Sequence, residues 1–244
     1  MNAVAIIPAR YHSTRLPGKP LADIGGKPMI RHVYENVEKS DEVSEVIVAT
    51  DDERVVQAVE SFGGKARMTS AAHATGTDRI AEVASELDAQ IVVNVQGDEP
   101  FITPGMISEA VRPLMDEPEL PMSTLMHEIG EEGFADPSVV KVVVDLRGNA
   151  LYFSRSLIPF PRNRENLRVF EHIGIYCYRK NFLSSFVALP QSPLEKNESL
   201  EQLRALENGY RIRVVRTSAA DYIPLSIDTN EDLERARRLY RERR

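Results

Sequence analysis

Short apolar runs alternate with amphipathic stretches through the first 120 residues, and this alternation restricts the fold more than any other feature of the chain. Residues 4–7 read as a buried strand, and Ile30, Val33, Tyr34 and Val37 recur at helical spacing over 30–37. Further strands are expected at 46–50, 65–68 and 91–95, with helices over 53–62 and 77–87 between them. Asp51 or Asp52 is placed to cap the first of these helices, and Gly63-Gly64 to stop it. Pro104 behind Thr103 opens another helix. Such alternation predicts a mostly parallel sheet covered on both faces.

After residue 120 the pattern changes. Residues 122–126, 139–145, 150–153 and 174–178 are β-like with little helix between them, and DLRGN at 145–149 reads as a hairpin turn. A helix near 199–208, stopped by Gly209, precedes a strand near 212–215. The last helix, 230–244, opens with the capping-box pattern from Thr229 to Asp232. No repeat, low-complexity segment or linker interrupts the chain. The expectation is one α/β domain over 1–244 with an antiparallel insertion.

Composition narrows the function. The 244 residues carry a net charge of -7, which argues against general nucleic-acid binding. The six arginines of residues 235–244 fit the solvated side of a terminal helix better than a nucleic-acid contact. A single cysteine, Cys177, cannot form an internal bridge, so a reducing cytoplasmic setting fits. No apolar run approaches the ~18 residues a membrane span needs, and the apolar run at 3–7 is too short for a signal peptide. The acidity is uneven: no Asp or Glu precedes Asp23, whereas residues 10–19 hold Arg10, His12, Arg15 and Lys19.

That basic stretch is the loop after the first strand, PARYHSTRLPGKP, and ligands of open α/β sheets sit beyond the carboxyl ends of the strands. Arginine grips phosphate oxygens bidentately and lysine acts as a point charge, so the loop suits a polyanion. The dinucleotide fingerprint GxGxxG is absent, and Gly26-Lys27 fails as a Walker motif because Pro28 and Leu21 occupy required positions. QGDEP at 96–100 places Asp98 at another strand end, where it is either a turn residue or a ligand to Mg²⁺. Asp228, before the last helix, reads either as a cap or as a second metal carboxylate. In ATGTDR at 74–79, Thr75 or Thr77 caps a helix or donates to a base or sugar. Asp51-Asp52-Glu53 resembles the acidic pairs of glycosyltransferases, but helix capping explains it more simply. HExxH and GxSxG are absent, leaving no support for metalloprotease or α/β-hydrolase chemistry.

Taken in order, IIPARYHSTRLPGKPL, IVATDDERV, GTDRIAEV, VNVQGDEPFI, ALYFSRSLIPFPR, HIGIYCYRKNFL, LEQLRALENGYRI and IDTNEDLERAR resemble the 3-deoxy-manno-octulosonate (Kdo) cytidylyltransferases from residue 3 to about 238. The resemblance implies a Rossmann-like mixed sheet of the nucleotide-diphospho-sugar transferase type, working as a cytoplasmic homodimer. It further implies that CTP and Kdo, with Mg²⁺, give CMP-Kdo and pyrophosphate for lipopolysaccharide assembly. Residues 120–180 would carry the dimer contact and part of the sugar site. By the same resemblance, Ala9, Arg10, Arg15, Lys19, Gly76 and Thr77 would hold the nucleotide. Arg79, Gln96, Arg155, His172, Tyr176, Glu201 and Gln202 would line the sugar side. Asp98 and Asp228 would ligate Mg²⁺ and, with Arg10 and Lys19, form the catalytic set. One departure, Pro159-Phe160-Pro161 in place of the aromatic-Xaa-Arg of Kdo enzymes, keeps an 8-amino analogue of Kdo open, and the first loop, shared with the acylneuraminate cytidylyltransferases, keeps sialic acid as the alternative sugar. A nucleotide-binding regulatory module without turnover is the competing class.

Overall fold

The computed structural model describes residues 2–13 and 15–243. The chain gathers into two compact units, Met1–Ser108 with Ala219–Arg244, and Glu109–Ser218.

In the first unit, β1 (Ala3–Pro8) is buried along nearly its whole length, as an interior strand covered on both faces must be. A small antiparallel hairpin follows, β2 (Asp23–Ile24) and β3 (Lys27–Pro28), turning at Gly25 and Gly26, both at positive φ. Strands of two residues carry no readable periodicity, so nothing in the sequence marks them. α1 (Met29–Glu38) buries the stripe Met29, Ile30, Val33, Tyr34 and Val37. β4 (Val43–Thr50), α2 (Glu53–Ser61), β5 (Lys65–Met68), α3 (Gly76–Ser85) and β6 (Ile91–Asn94) come next, and α4 (Pro104–Asp116) begins in this unit and ends in the second. Of the two expected caps it is Asp52 that accepts from the Arg54 N–H at the start of α2. Thr75 caps α3 in a full capping box with Asp78. β6, β1, β4 and β5 lie side by side in that order, every pairing parallel. Their carboxyl ends therefore share one edge.

The second unit holds β7 (Met122–Ile129), β8 (Lys141–Val144), β9 (Ala150–Ser154), β10 (Val169–Arg179) and β11 (Ile212–Arg216). β10 runs antiparallel to β7 and β8, β8 antiparallel to β9, and β11 parallel to β7. The two units together give the mixed α/β architecture expected, with its antiparallel region after residue 120. The DLRGN turn is closed by Asp145, whose Oδ1 accepts from the N–H groups of Arg147 and Asn149 at 2.8 Å each. β10 is far longer than the expected 174–178. Three helices complete the unit, α5 (Lys180–Ala188), α6 (Pro193–Glu198) and α7 (Gln202–Glu207). The first two were missed, although Phe182, Leu183 and Phe186 form a buried stripe on α5. The helix expected from 199 begins at Gln202, because Ser199 ends α6 in the left-handed region.

The last segment returns to the first unit as α8 (Asn230–Glu242). Its Leu233 and Ala236 pack with Leu16, Ile24, Met29, Phe101, Leu225 and Ile227 in one buried cluster. Among the described residues, no helix is long and apolar enough to cross a membrane.

Candidate active site

The cation loop is fastened where β1 ends. Ala9 N–H donates to the Ala49 carbonyl of β4 at 2.9 Å, and Gly18 N–H closes the loop on the Tyr11 carbonyl at 3.0 Å. Gly18 sits at φ +69, a conformation costly for residues with a Cβ. Leu16 and Pro20 are buried and anchor the loop, while Arg10 and Arg15 stay exposed. The Arg10 guanidinium donates to the His73 carbonyl at 2.8 Å.

Two features bring Asp98 to the same place. An added Cβ on Gly97 would stand 3.0 Å from the Pro8 carbonyl, so glycine lets the QGDEP turn lie close against the end of β1 without displacing it. The Ile227 N–H then donates to the Asp98 carbonyl at 2.9 Å, which carries the segment before α8 onto that turn. Thr229 is the α8 cap and Asp232 completes its box, so the Asp228 carboxylate is not used for capping. It faces the loop instead.

The result is a cation bound by two carboxylates. Lys19 Nζ donates to Asp98 Oδ2 at 2.5 Å and to Asp228 Oδ1 at 3.0 Å, and Arg15 reaches Asp228 Oδ2 at 3.1 Å. Burial pulls the Lys19 ammonium down, but Asp98 and then Asp228 outweigh it, so its pKa is raised and the charge is held. A cleft of about 330 Å³ opens here, lined among others by Ala9, Arg10, Arg15, Lys19, Gly76, Gln96, Asp98 and Asp228. A cavity of about 410 Å³ elsewhere in the unit is lined by His32, Glu35, Phe101 and Tyr240, away from the loop cations. Two expected residues do not reach the cleft surface. Thr77 is buried, and Arg79 is wholly buried with its guanidinium on the Asp51 carboxylate and the Thr69 hydroxyl.

The remaining expected residues lie in the second unit. Arg155 follows β9, and its guanidinium is committed to carbonyls, Nε to Glu198 at 2.8 Å and Nη1 to Pro137 at 2.9 Å. Its N–H donates to the Glu198 carboxylate at 2.9 Å. Lys141, fully buried, donates to the carbonyls of Asp136, Val139 and Arg155 at 2.7, 2.8 and 2.9 Å. A lone lysine in the apolar run KVVV was the available signal for that cage. On β10, His172 Nε2 meets the Thr124 hydroxyl at 2.9 Å. That hydroxyl spends its single proton on the Ile173 or Ile175 carbonyl, at 3.1 and 2.7 Å, so Nε2 carries the hydrogen and Nδ1 is left as an acceptor. His172 as a residue is half-buried, and removal of its ring from water pushes its pKa down to about 3, which favours the neutral form. Tyr176 stands beside it with ring centroids 5.2 Å apart. Gln202 is buried at the start of α7, and Glu201 lies 3.5 Å from Arg204.

Comparison with known proteins places this arrangement. The cytidylyltransferase family model matches residues 4–212, so the fold is that of a cytidylyltransferase. The 3-deoxy-manno-octulosonate cytidylyltransferase of Geobacter sulfurreducens is 54% identical, over 96% of this chain and 98% of its own. That of Pelobacter propionicus is 53% identical over 99% and 98%. A solved structure of CMP:2-keto-3-deoxy-manno-octonic acid synthetase complexed with CTP superposes with a TM-score of 0.96 at 50% identity, covering all of both chains. The chain belongs to the 3-deoxy-manno-octulosonate cytidylyltransferase family.

Proposed function

We propose that this chain transfers the cytidylyl group of CTP to Kdo, giving CMP-Kdo and pyrophosphate, with Mg²⁺ as the metal. The observation that carries the reading is the convergence of Asp98 and Asp228 on Lys19, in a cleft that Arg10 and Arg15 also line. The chemistry is a meeting of anions. The anomeric hydroxyl of an ulosonate attacks the α-phosphorus, a new P–O bond forms, and the bond to the β-phosphate oxygen breaks. The hydroxyl proton passes to solvent and the electron pair leaves with pyrophosphate.

Each residue then has a task. Arg10, Arg15 and Lys19 neutralise the triphosphate and the charge that grows on the leaving group. Ala9, Gly76 and Thr77 belong to the segments that seat the nucleotide, with Gln96 on the cleft's wall. Two carboxylates gathered on a single cation suit a divalent ion that completes its shell with phosphates and water. Asp98 and Asp228 would be the protein's ligands to such an ion. When bound, Mg²⁺ supplies Lewis-acid stabilisation of the phosphate oxygens. In the second unit, Arg155, His172, Tyr176, Glu201 and Gln202 recognise the sugar, the neutral His172 accepting from a hydroxyl through Nδ1. Arg79 acts from behind the nucleotide wall.

The same reading takes the working form to be a cytoplasmic homodimer, paired through residues 120–180, that feeds lipopolysaccharide assembly. The buried lone Cys177, its thiol pushed up by burial, fits a reducing compartment. Pyrophosphate release from CTP, Kdo and Mg²⁺ tests the proposal. Asp98→Asn, which removes a charge and no core packing, is expected to lower kcat by about 100-fold or more at an unchanged unfolding midpoint. Near-parental turnover in that variant would remove Asp98 from the mechanism.

A further inference from the structure

We propose that Asp51 and Arg79 are a positioning pair for the nucleotide cleft; the inference rests on reading that cleft as the CTP site. Both lie outside the cleft lining. Asp52 has taken the capping task on α2, which leaves the Asp51 carboxylate for another partner. That partner is Arg79, wholly buried on the second turn of α3, whose Nη2 donates to Asp51 Oδ2 at 2.8 Å.

Arg79 works as a fork. Its other terminal nitrogen, Nη1, donates to the Thr69 hydroxyl just beyond β5. Thr69 in turn donates to the Thr50 carbonyl at the end of β4, from its N–H at 2.8 Å and its hydroxyl at 3.0 Å. One residue earlier on β4, the Ala49 carbonyl holds Ala9 of the cation loop. At the start of α3, a Cβ on Gly76 would stand 3.3 Å from Pro8 Cγ, so the helix rests on the end of β1. A second tie runs through Glu82, which accepts from the Ser70 N–H at 3.1 Å and from the His73 imidazole. The His73 carbonyl holds Arg10. Thus the segment between β5 and α3 is pinned on both sides, and what the pinning fixes is where Gly76 and Arg10 stand.

Stability is a poor account of the pair. Among the described residues, Arg79 Nε and Asp51 Oδ1 are both buried without a hydrogen-bond partner. Unpaired buried polar atoms are costly, and well-packed apolar replacements of buried ion pairs are often neutral or stabilising. An apolar pair would fill the space. It would not set the angle between α3 and the ends of β4 and β5.

The experiment uses CTP titration calorimetry in Mg²⁺, thermal unfolding and steady-state kinetics on the full chain. Asp51→Leu/Arg79→Met is expected to keep or raise the unfolding midpoint and to weaken CTP binding by about tenfold or more, with the KM for Kdo within about threefold of parent. Parental CTP affinity in that folded variant would overturn the inference. So would an affinity loss accompanied by a lowered midpoint, which assigns the pair to stability. Where the double variant does not fold, Arg79→Lys decides, since it keeps the charge and loses the fork. Weaker CTP binding at a parental midpoint supports the pair's role, and parental binding refutes it. A parent that binds no CTP would sink the reading of the cleft itself, whereas a parent that binds CTP no better than its variants would sink only the positioning role.

Discussion

Asp98, Asp228, Lys19 and Arg15 balance to zero formal charge within one small volume, and that balance offsets the repulsion between two neighbouring carboxylates. The individual residue types were legible: arginines and a lysine in an acid-free stretch, and an aspartate at each of two loop positions. Their commitments were not. Nothing in the sequence says that Arg79 faces inward to Asp51, or that Arg155 spends its guanidinium on carbonyls, because both partners are distant in the chain. His172 gives a pH prediction at this scale. Its folded pKa, about 3 against an ordinary 6.5, is depressed by removal from water. The unfolded chain therefore binds the proton more readily, and the stabilising contribution is complete above pH 6.5 and lost as pH falls toward 3. Denaturant unfolding of His172→Gln across that window is expected to show a shallower acid decline than the parent. Parallel declines would mean that the ring titrates normally in the fold.

At the level of elements, the α8 cap and the Gly97 turn together make the site. Thr229 takes the cap, Asp232 completes the box and also accepts from the Asp228 N–H at 3.1 Å, and Asp228 is left facing Lys19. Thr229→Ala is accordingly expected to destabilise the chain by about 1 kcal/mol. It should also lower turnover, because the cap fixes the backbone that carries Asp228. Thermal unfolding with kinetics checks both, and full activity at the reduced midpoint would separate the cap from the site. Elements with caps and clear periodicity, such as α2, α3 and α8, could be read from the chain to within about two residues, the scale on which boundaries differ by definition alone. The β2–β3 hairpin and α6 could not, since two- and six-residue elements carry too few positions for a period. The convergence of Asp98 and Asp228 was also illegible, because it depends on a backbone bond from Ile227 to Asp98.

On the scale of the whole chain, the net charge of -7 conceals the organisation that matters. The basic loop sits at the shared carboxyl ends of the parallel strands in one unit, and the antiparallel unit carries the aromatic and polar residues expected to read the sugar. Family membership covers both, since the matching model runs from residue 4 to 212. The central claim is that this combination activates Kdo with CTP, and sugar choice tests it most directly. Pyrophosphate release is to be measured with CTP and Mg²⁺ against Kdo, its 8-amino analogue and sialic acid, each alone. The account predicts release with Kdo at a kcat/KM at least about tenfold above either other sugar. Release with sialic acid but not with Kdo, or with none of the three, would contradict it.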